Sequence, residues 1–174
     1  MSARVPGDPK AERSAVLERT PLARSLHDAR VMAVMSRWID WPRALLAEGP
    51  AEPYLVVEER LTELRRLSMA ADATWTTVDV ANASDVGAVI DTLKLVLPFP
   101  DWCGSSWDSI ADAFEEIRQS WSFPLIIAVG GLNSMLESRP HLALETVLRL
   151  SELGQALSST GDQLTVFYVA DKWV

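Results

Sequence analysis

The apolar positions of the chain change period near residue 73. Before it, Leu22, Leu26, Ala29 and Ala33 recur at helical spacing toward Trp38. They follow Thr20-Pro21, a pair suited to an N-cap and a first helical position. Trp41-Pro42 predicts an interruption with a short second helix through Leu46, and EGPAEP, residues 48–53, predicts a break. Val57, Leu61, Leu64, Leu67 and Ala71 then recur three or four residues apart, with Glu and Arg on the opposite face, so an amphipathic helix is expected. Residues 1–19 carry mixed charges and no period and are expected to be a mobile tail.

After residue 73 strands enter. TWTTVDV, residues 74–80, is β-branched and aromatic and predicts a strand. A helix capped by Asn82 or Ser84 is expected through Leu95, with Val86, Val89, Ile90 and Leu93 inward, until LPFPD stops it. A second helix is expected from Ser106 to about Ser120, on the stripe Trp107, Ile110, Phe114, Ile117 and Trp121. LIIAV, residues 125–129, is a continuous apolar run, the mark of a strand covered on both faces, and Gly130-Gly131 ends it. A third helix is expected over Pro140–Leu157, with Leu144, Val147, Leu148 and Leu150 or Ser151 inward. LTVFYV, residues 164–169, predicts the last strand after a Ser-Ser-Thr-Gly-Asp turn. Crossovers that each contain helix imply a parallel sheet with right-handed connections. The expected fold class is α/β, a small three-stranded parallel sheet flanked by helices with an N-terminal α-helical extension. The expected organisation is a tail at 1–19, the extension at 20–72 and the α/β domain at 73–174.

Composition narrows the class without naming a function. With 48% hydrophobic and 23% charged residues, a substantial core is expected. No window reaches the roughly 18 apolar residues of a membrane span, and the N-terminus lacks the apolar run of a secretory signal. A single cysteine fits a reducing, cytoplasmic setting. Charge is more telling once mapped. Residues 1–72 hold eleven cations and eleven acids, whereas residues 73–174 hold five cations against thirteen acids, a balance of −8 that is the whole formal charge. An acidic domain is repelled by nucleic acid and drawn to basic partners.

The segment FPDWCGSSWDSIADAFEE, residues 99–116, concentrates this character. Asp108 and Asp112 lie one helical turn apart. Asp108 is accounted for by the first-turn dipole, but Asp112 has no Lys or Arg at a helical partner position. Such a carboxylate is available to an outside cation. Trp102, in the loop before the helix, adds the aromatic type that anchors protein interfaces.

From Trp75 to Val169 the chain resembles the barstar family, small intracellular bacterial inhibitors of secreted ribonucleases of the barnase type. The resemblance rests on the order strand, helix, helix, strand, helix, strand and on FPDWCGSSWDSIADAF, which is similar to that family's Pro-acid-aromatic-aromatic-Gly-x-Asn-x-Asp-x-x-x-Asp segment. It implies that Trp102 stands where the family has a toxin-facing tyrosine. Gly104 would allow close approach, and Ser106 replaces an asparagine at the helix start. Asp108 and Asp112 would enter a ribonuclease active site in place of substrate phosphates. The implied partner-binding residues are Trp102, Gly104, Ser106, Trp107, Asp108 and Asp112, with Glu152 as the nearest equivalent of a further acid on the last helix. Cys103 stands where a second tyrosine is usual and Ala111 where an aromatic is common. Both soften the interface expected against barnase itself. The implied role is an intracellular immunity protein that occludes the basic active site of a cognate secreted ribonuclease or related toxin. The alternative is a non-inhibitory acidic docking module with the same fold.

Enzymatic readings are weaker. Carboxylates one turn apart on one helix do not flank a cleft as glycosidase pairs do. A nucleophilic Cys103 needs a base, and only His27 and His141 exist, neither in a supporting motif. Metal-ligand spacing is absent, and Gly130-Gly131 has neither a dinucleotide fingerprint nor a phosphate-loop lysine. No cofactor, nucleic acid or membrane is implied; the implied partner is a basic protein.

Overall fold

LIIAV meets its expectation as the centre of the sheet. In the computed structural model, which describes residues 39–41 and 52–173, Leu125–Gly130 forms β3 with parallel neighbours on both sides. Its side chains alternate between two cores. Leu125, Ile127 and Val129 face one, Ile126 and Ala128 the other, and all five are buried. A central parallel strand has no solvent face, which is why this run is apolar without alternation.

The sheet has four strands rather than the expected three, in the order β1-β4-β3-β2, all parallel. β2 is Thr74–Asp79 and β4 is Leu164–Ala170, near their predicted places. The added strand is β1, Tyr54–Val57, which pairs with β4 from Tyr54↔Phe167 to Val57↔Ala170. It is four residues long and lies between a proline-rich break and an acidic turn. Only pairing with β4, more than a hundred residues away, makes it a strand. Val57 happens to lie four residues before Leu61, so periodicity assigned it to the helix.

A single 3₁₀ turn, Glu58–Arg60, leads from β1 into α1, Leu61–Ala70. Leu64 is fully buried on the β1 side of the sheet with Trp41, Tyr54 and Phe167, and Leu61 and Leu67 pack beside them. The other face carries α2 (Val86–Lys94), α3 (Trp107–Asp112), α4 (Phe114–Ser120), α5 (Leu132–Ser138) and α6 (Pro140–Ser159). Asp85, rather than Asn82 or Ser84, caps α2, accepting from the Ala88 N–H at 3.0 Å. The stretch after Gly131 is helical, and Gly131 itself has φ +79° with Asp79 and the Ala81 backbone pressed against it. A side chain there would be strained and would clash.

Two expected helix faces are corrected. The helix from Ser106 is two short ones, because ψ rises to 5° at Ala113. That turn buries Ala113 between Ile110 and Ile117, so the inward positions are Ile110, Ala113, Ile117 and Trp121. Trp107 and Phe114 are swung to the side of the core. On α6 the inward residues are Ala143, Thr146, Leu150, Leu153 and Leu157, not Leu144 and Leu148, which are 62% and 57% exposed. Small and polar residues hide this stripe from a hydrophobic count. Thr146 satisfies its hydroxyl on the Leu142 carbonyl at 2.8 Å, which lets it be buried.

Among the described residues, no helix is long and apolar enough to cross a membrane. The expected tail over 1–19, the helix from Thr20 to Trp38 and the helix through Leu46 lie outside the described residues.

Candidate functional site

The loop between α2 and α3 is built from short-range hydrogen bonds. Ser106 is the N-cap of α3: its Oγ accepts from the Ser109 N–H at 3.1 Å, and the Ser106 and Ser109 hydroxyls lie 2.7 Å apart. Gly104 sits against this pair, and a Cβ on it would fall 2.8 Å from Ser109 Oγ. A side chain at 104 would therefore push the Ser109 hydroxyl away from that of Ser106. Cys103 is buried, with its Sγ 3.5 Å from the Ser109 carbonyl oxygen. Burial pushes its thiol pKa up, against a smaller lowering by Lys94, which is the signature of a packed cysteine rather than a nucleophile.

Trp102 points outward, 56% exposed, and its Nε1–H donates to Glu116 at 3.3 Å. This ties its ring to the start of α4. Asp108 and Asp112 are both exposed on α3, with no ion-pair partner among the described residues. Three other acids of these helices and their loops are treated differently. Glu115 pairs with Arg118 at 3.3 Å, Asp162 with Arg118 at 2.7 Å, and Glu152 with Arg149 at 2.9 Å. Arg118 is held in its charged form by Asp162 first. Asp112 ends α3 one residue before the N-cap of α4, so the dipoles of the two short helices oppose each other there and neither accounts for the charge.

The displacement of Trp107 and Phe114 opens a groove between α3–α4 and α6. Its volume is about 350 Å³, walled by Trp107, Ile110, Ala111 and Phe114 on one side and Leu153 and Ala156 on the other. Asp108 and the Arg149–Glu152 pair stand at its rim. The Nε1 of Trp107 is buried and has no hydrogen-bond partner among the described residues. Thus three predicted residues, Trp107, Asp108 and Glu152, share one groove. Trp102, Gly104, Ser106 and Asp112 do not line it; they belong to the adjoining loop and the end of α3. Glu152 differs from the aspartates in already having a cation.

Sequence reasoning overlooked Lys94 and Asp91 of α2. The Lys94 ammonium donates to the carbonyl oxygens of Cys103 and Gly104, the latter at 3.0 Å, and reaches Ser105 Oγ at 3.5 Å. The Ser105 hydroxyl in turn donates to the Asp91 carboxylate. The signal was present, since Lys94 is the sole cation between residues 73 and 117.

The arrangement suits protein recognition: uncompensated carboxylates on a helix, an exposed indole in the loop before it and an apolar groove with a polar rim beside it. No curated protein matches the chain. A family model described as Barstar (barnase inhibitor) matches residues 73–169, from the start of β2 to the penultimate residue of β4 and more than half of the chain. The parallel strands β2, β3 and β4, the capped loop and the two aspartates thus come together in one matched segment, and the chain belongs to the barstar family.

Proposed function

We propose that this protein is an intracellular, non-catalytic inhibitor that blocks the basic active site of a secreted ribonuclease or related toxin with the surface from Trp102 to Asp112. One observation carries the reading: Asp108 and Asp112 are exposed and without an ion-pair partner among the described residues, while the neighbouring acids Glu115 and Glu152 are paired internally. Leaving two like charges a turn apart costs a few tenths of a kcal/mol unless something outside repays it. A basic catalytic cleft does so, because acids aimed at it speed encounter and fix register. The groove beside Asp108 then receives apolar parts of the same partner, and the free, packed Cys103 suits a reducing compartment.

The test is inhibition. Purified protein is titrated against barnase and a panel of basic secreted bacterial ribonucleases, with Asp112→Ala beside the wild type. Stoichiometric inhibition of at least one enzyme, weakened by Asp112→Ala, is expected. Equal inhibition by both proteins would remove Asp112 from the site. Binding to a housekeeping protein with no inhibition of any nuclease would favour an acidic docking module instead.

A further inference from the structure

We infer that Lys94 is a positioning residue of the recognition surface: from α2 it holds the loop Cys103–Ser105 in its binding geometry without itself facing the partner. The inference rests on the proposed function for its consequence, but its geometry stands apart from it. A lysine ammonium has three N–H donors, and three acceptors converge on this one, the Cys103 and Gly104 carbonyls and Ser105 Oγ. Two of these are backbone carbonyls of a loop with no sheet or helix of its own to satisfy them. Asp91, one turn earlier on α2, fixes the Ser105 hydroxyl, so the loop is gripped at two points from one rigid helix.

The consequence reaches the site directly. Cys103, whose carbonyl Lys94 holds, sets its Sγ 3.5 Å from the Ser109 carbonyl oxygen, Ser109 shares the cap with Ser106, and that cap starts the helix bearing Asp108 and Asp112. Trp102 precedes the held carbonyls by one residue. Releasing the loop would let both the indole and the start of α3 wander, so the partner would have to bear the ordering cost on binding. Lys94 also satisfies a charge constraint. It is the only cation between residues 73 and 117, and its donors are directed at carbonyls rather than at Asp108 or Asp112. Neither carboxylate is therefore tied up in an ion pair with it.

Lys94→Met keeps the apolar stem and removes the donors and the charge. The two readouts respond to a released loop in the opposite direction from a mere loss of charge. Cys103, the chain's single cysteine, reports on the loop without any partner. Loss of the cation alone disfavours the thiolate and slows its reaction with Ellman's reagent, whereas a freed loop exposes the thiol and speeds it. Likewise, a more negative surface alone would tighten binding to a basic enzyme, whereas a freed loop weakens it.

The experiment measures the Ellman reaction of the full chain, then inhibition of barnase, for wild type, Lys94→Met and the milder Ser105→Ala. Urea midpoints verify that each variant is folded. The expected result is a Cys103 reaction about tenfold faster and inhibition about tenfold weaker in Lys94→Met, the scale of charge-assisted hydrogen bonds lost. A change in the same direction but smaller is expected for Ser105→Ala. If Lys94→Met is folded and its Cys103 reacts at or below the wild-type rate, or it inhibits as well as wild type or better, the inference fails. If wild type does not inhibit barnase, that choice of partner fails and the Cys103 comparison decides the role of Lys94 alone. If Lys94→Met does not fold, Ser105→Ala, on an exposed residue, decides by the same two signs.

Discussion

On the β1 side of the sheet, Trp41, Tyr54 and Leu64 close over Ile126, Ala128 and Phe167, and the Trp41 indole and the Gln163 amide beside them are matched. Trp41 Nε1–H donates to Thr165 Oγ1 at 2.9 Å, and Gln163 both accepts from the Ile39 N–H at 2.7 Å and donates to its carbonyl at 2.8 Å. The Trp41 and Phe167 rings meet edge to face, with centroids 5.0 Å apart. On the other side, past an equally buried core, the outer helices leave Asp108 and Asp112 uncompensated and the Trp107 indole N–H without an acceptor among the described residues, and an apolar groove open. One face satisfies what it buries. The other withholds satisfaction at its rim, which is where a fold built for binding departs from one built only for stability.

The largest effect that sharpens this contrast is expected at Trp41. Trp41→Ala removes a fully buried indole and orphans Thr165, so a loss of about 3–5 kcal/mol in urea unfolding is expected. Inhibition by whatever fraction remains folded should be unchanged. A stability loss within error of zero would mean that residues 39–41 are an ornament on the domain rather than part of it.

The aspartates should behave in the reverse sense. Asp108→Asn with Asp112→Asn is expected to leave the urea midpoint within a few tenths of a kcal/mol of the wild type, since relief of like-charge repulsion offsets the lost dipole interaction of Asp108. Inhibition should fall by about a hundredfold or more, the scale of removing one side of a desolvated interfacial charge pair. A clear drop in stability would show the carboxylates to be structural after all.

A third expectation concerns the two tyrosines, Tyr54 and Tyr168, which are all the chain has. Burial first, then Glu52 and Asp40, pushes the Tyr54 hydroxyl up to about 12, and burial also raises Tyr168. Both folded-state values lie above an unfolded value of about 10, so the folded chain holds these protons longer than the unfolded chain. Their contribution is constant below pH about 10, and stability is lost as pH rises from there toward 12. Absorbance at 295 nm, read against pH, should show phenolate appearing late and together with unfolding. Independent titration of one tyrosine near 10 in the folded protein would contradict the packing of β1 against β4.

The smallest effect is expected at the cap. Ser106→Ala removes the acceptor for the Ser109 N–H, and a loss of about 1 kcal/mol is the ordinary cost of an N-cap. Calorimetric unfolding would register it. An unaltered midpoint would mean that α3 is held by its burial of Ile110 alone.

Much of this architecture was legible along the chain. The strands β2, β3 and β4 were, because each carries enough β-branched or apolar residues to be recognised locally. The helices were legible in existence, except α5 after Gly131, but their faces were less so. Leu144 and Leu148 drew the inward stripe of α6 onto the wrong side, since a periodicity count favours leucine over the Ala143 and Thr146 that are in fact buried. The break at Ala113 was invisible because alanine is the best helix former, and only packing between Ile110 and Ile117 turns the chain there.

By itself the sequence determined the α/β class, the segregation of negative charge into residues 73–174 and the motif that places Trp102 beside two aspartates. These are properties of composition and short-range spacing, and a linear string carries them in full. Tertiary structure alone decided that Tyr54–Val57 is a strand, that Trp107 and Glu152 meet across a groove, and that Lys94 reaches back to Cys103 and Gly104. Each of these depends on which surfaces the core brings together, and the free energy that selects them comes from burying residues far apart in sequence.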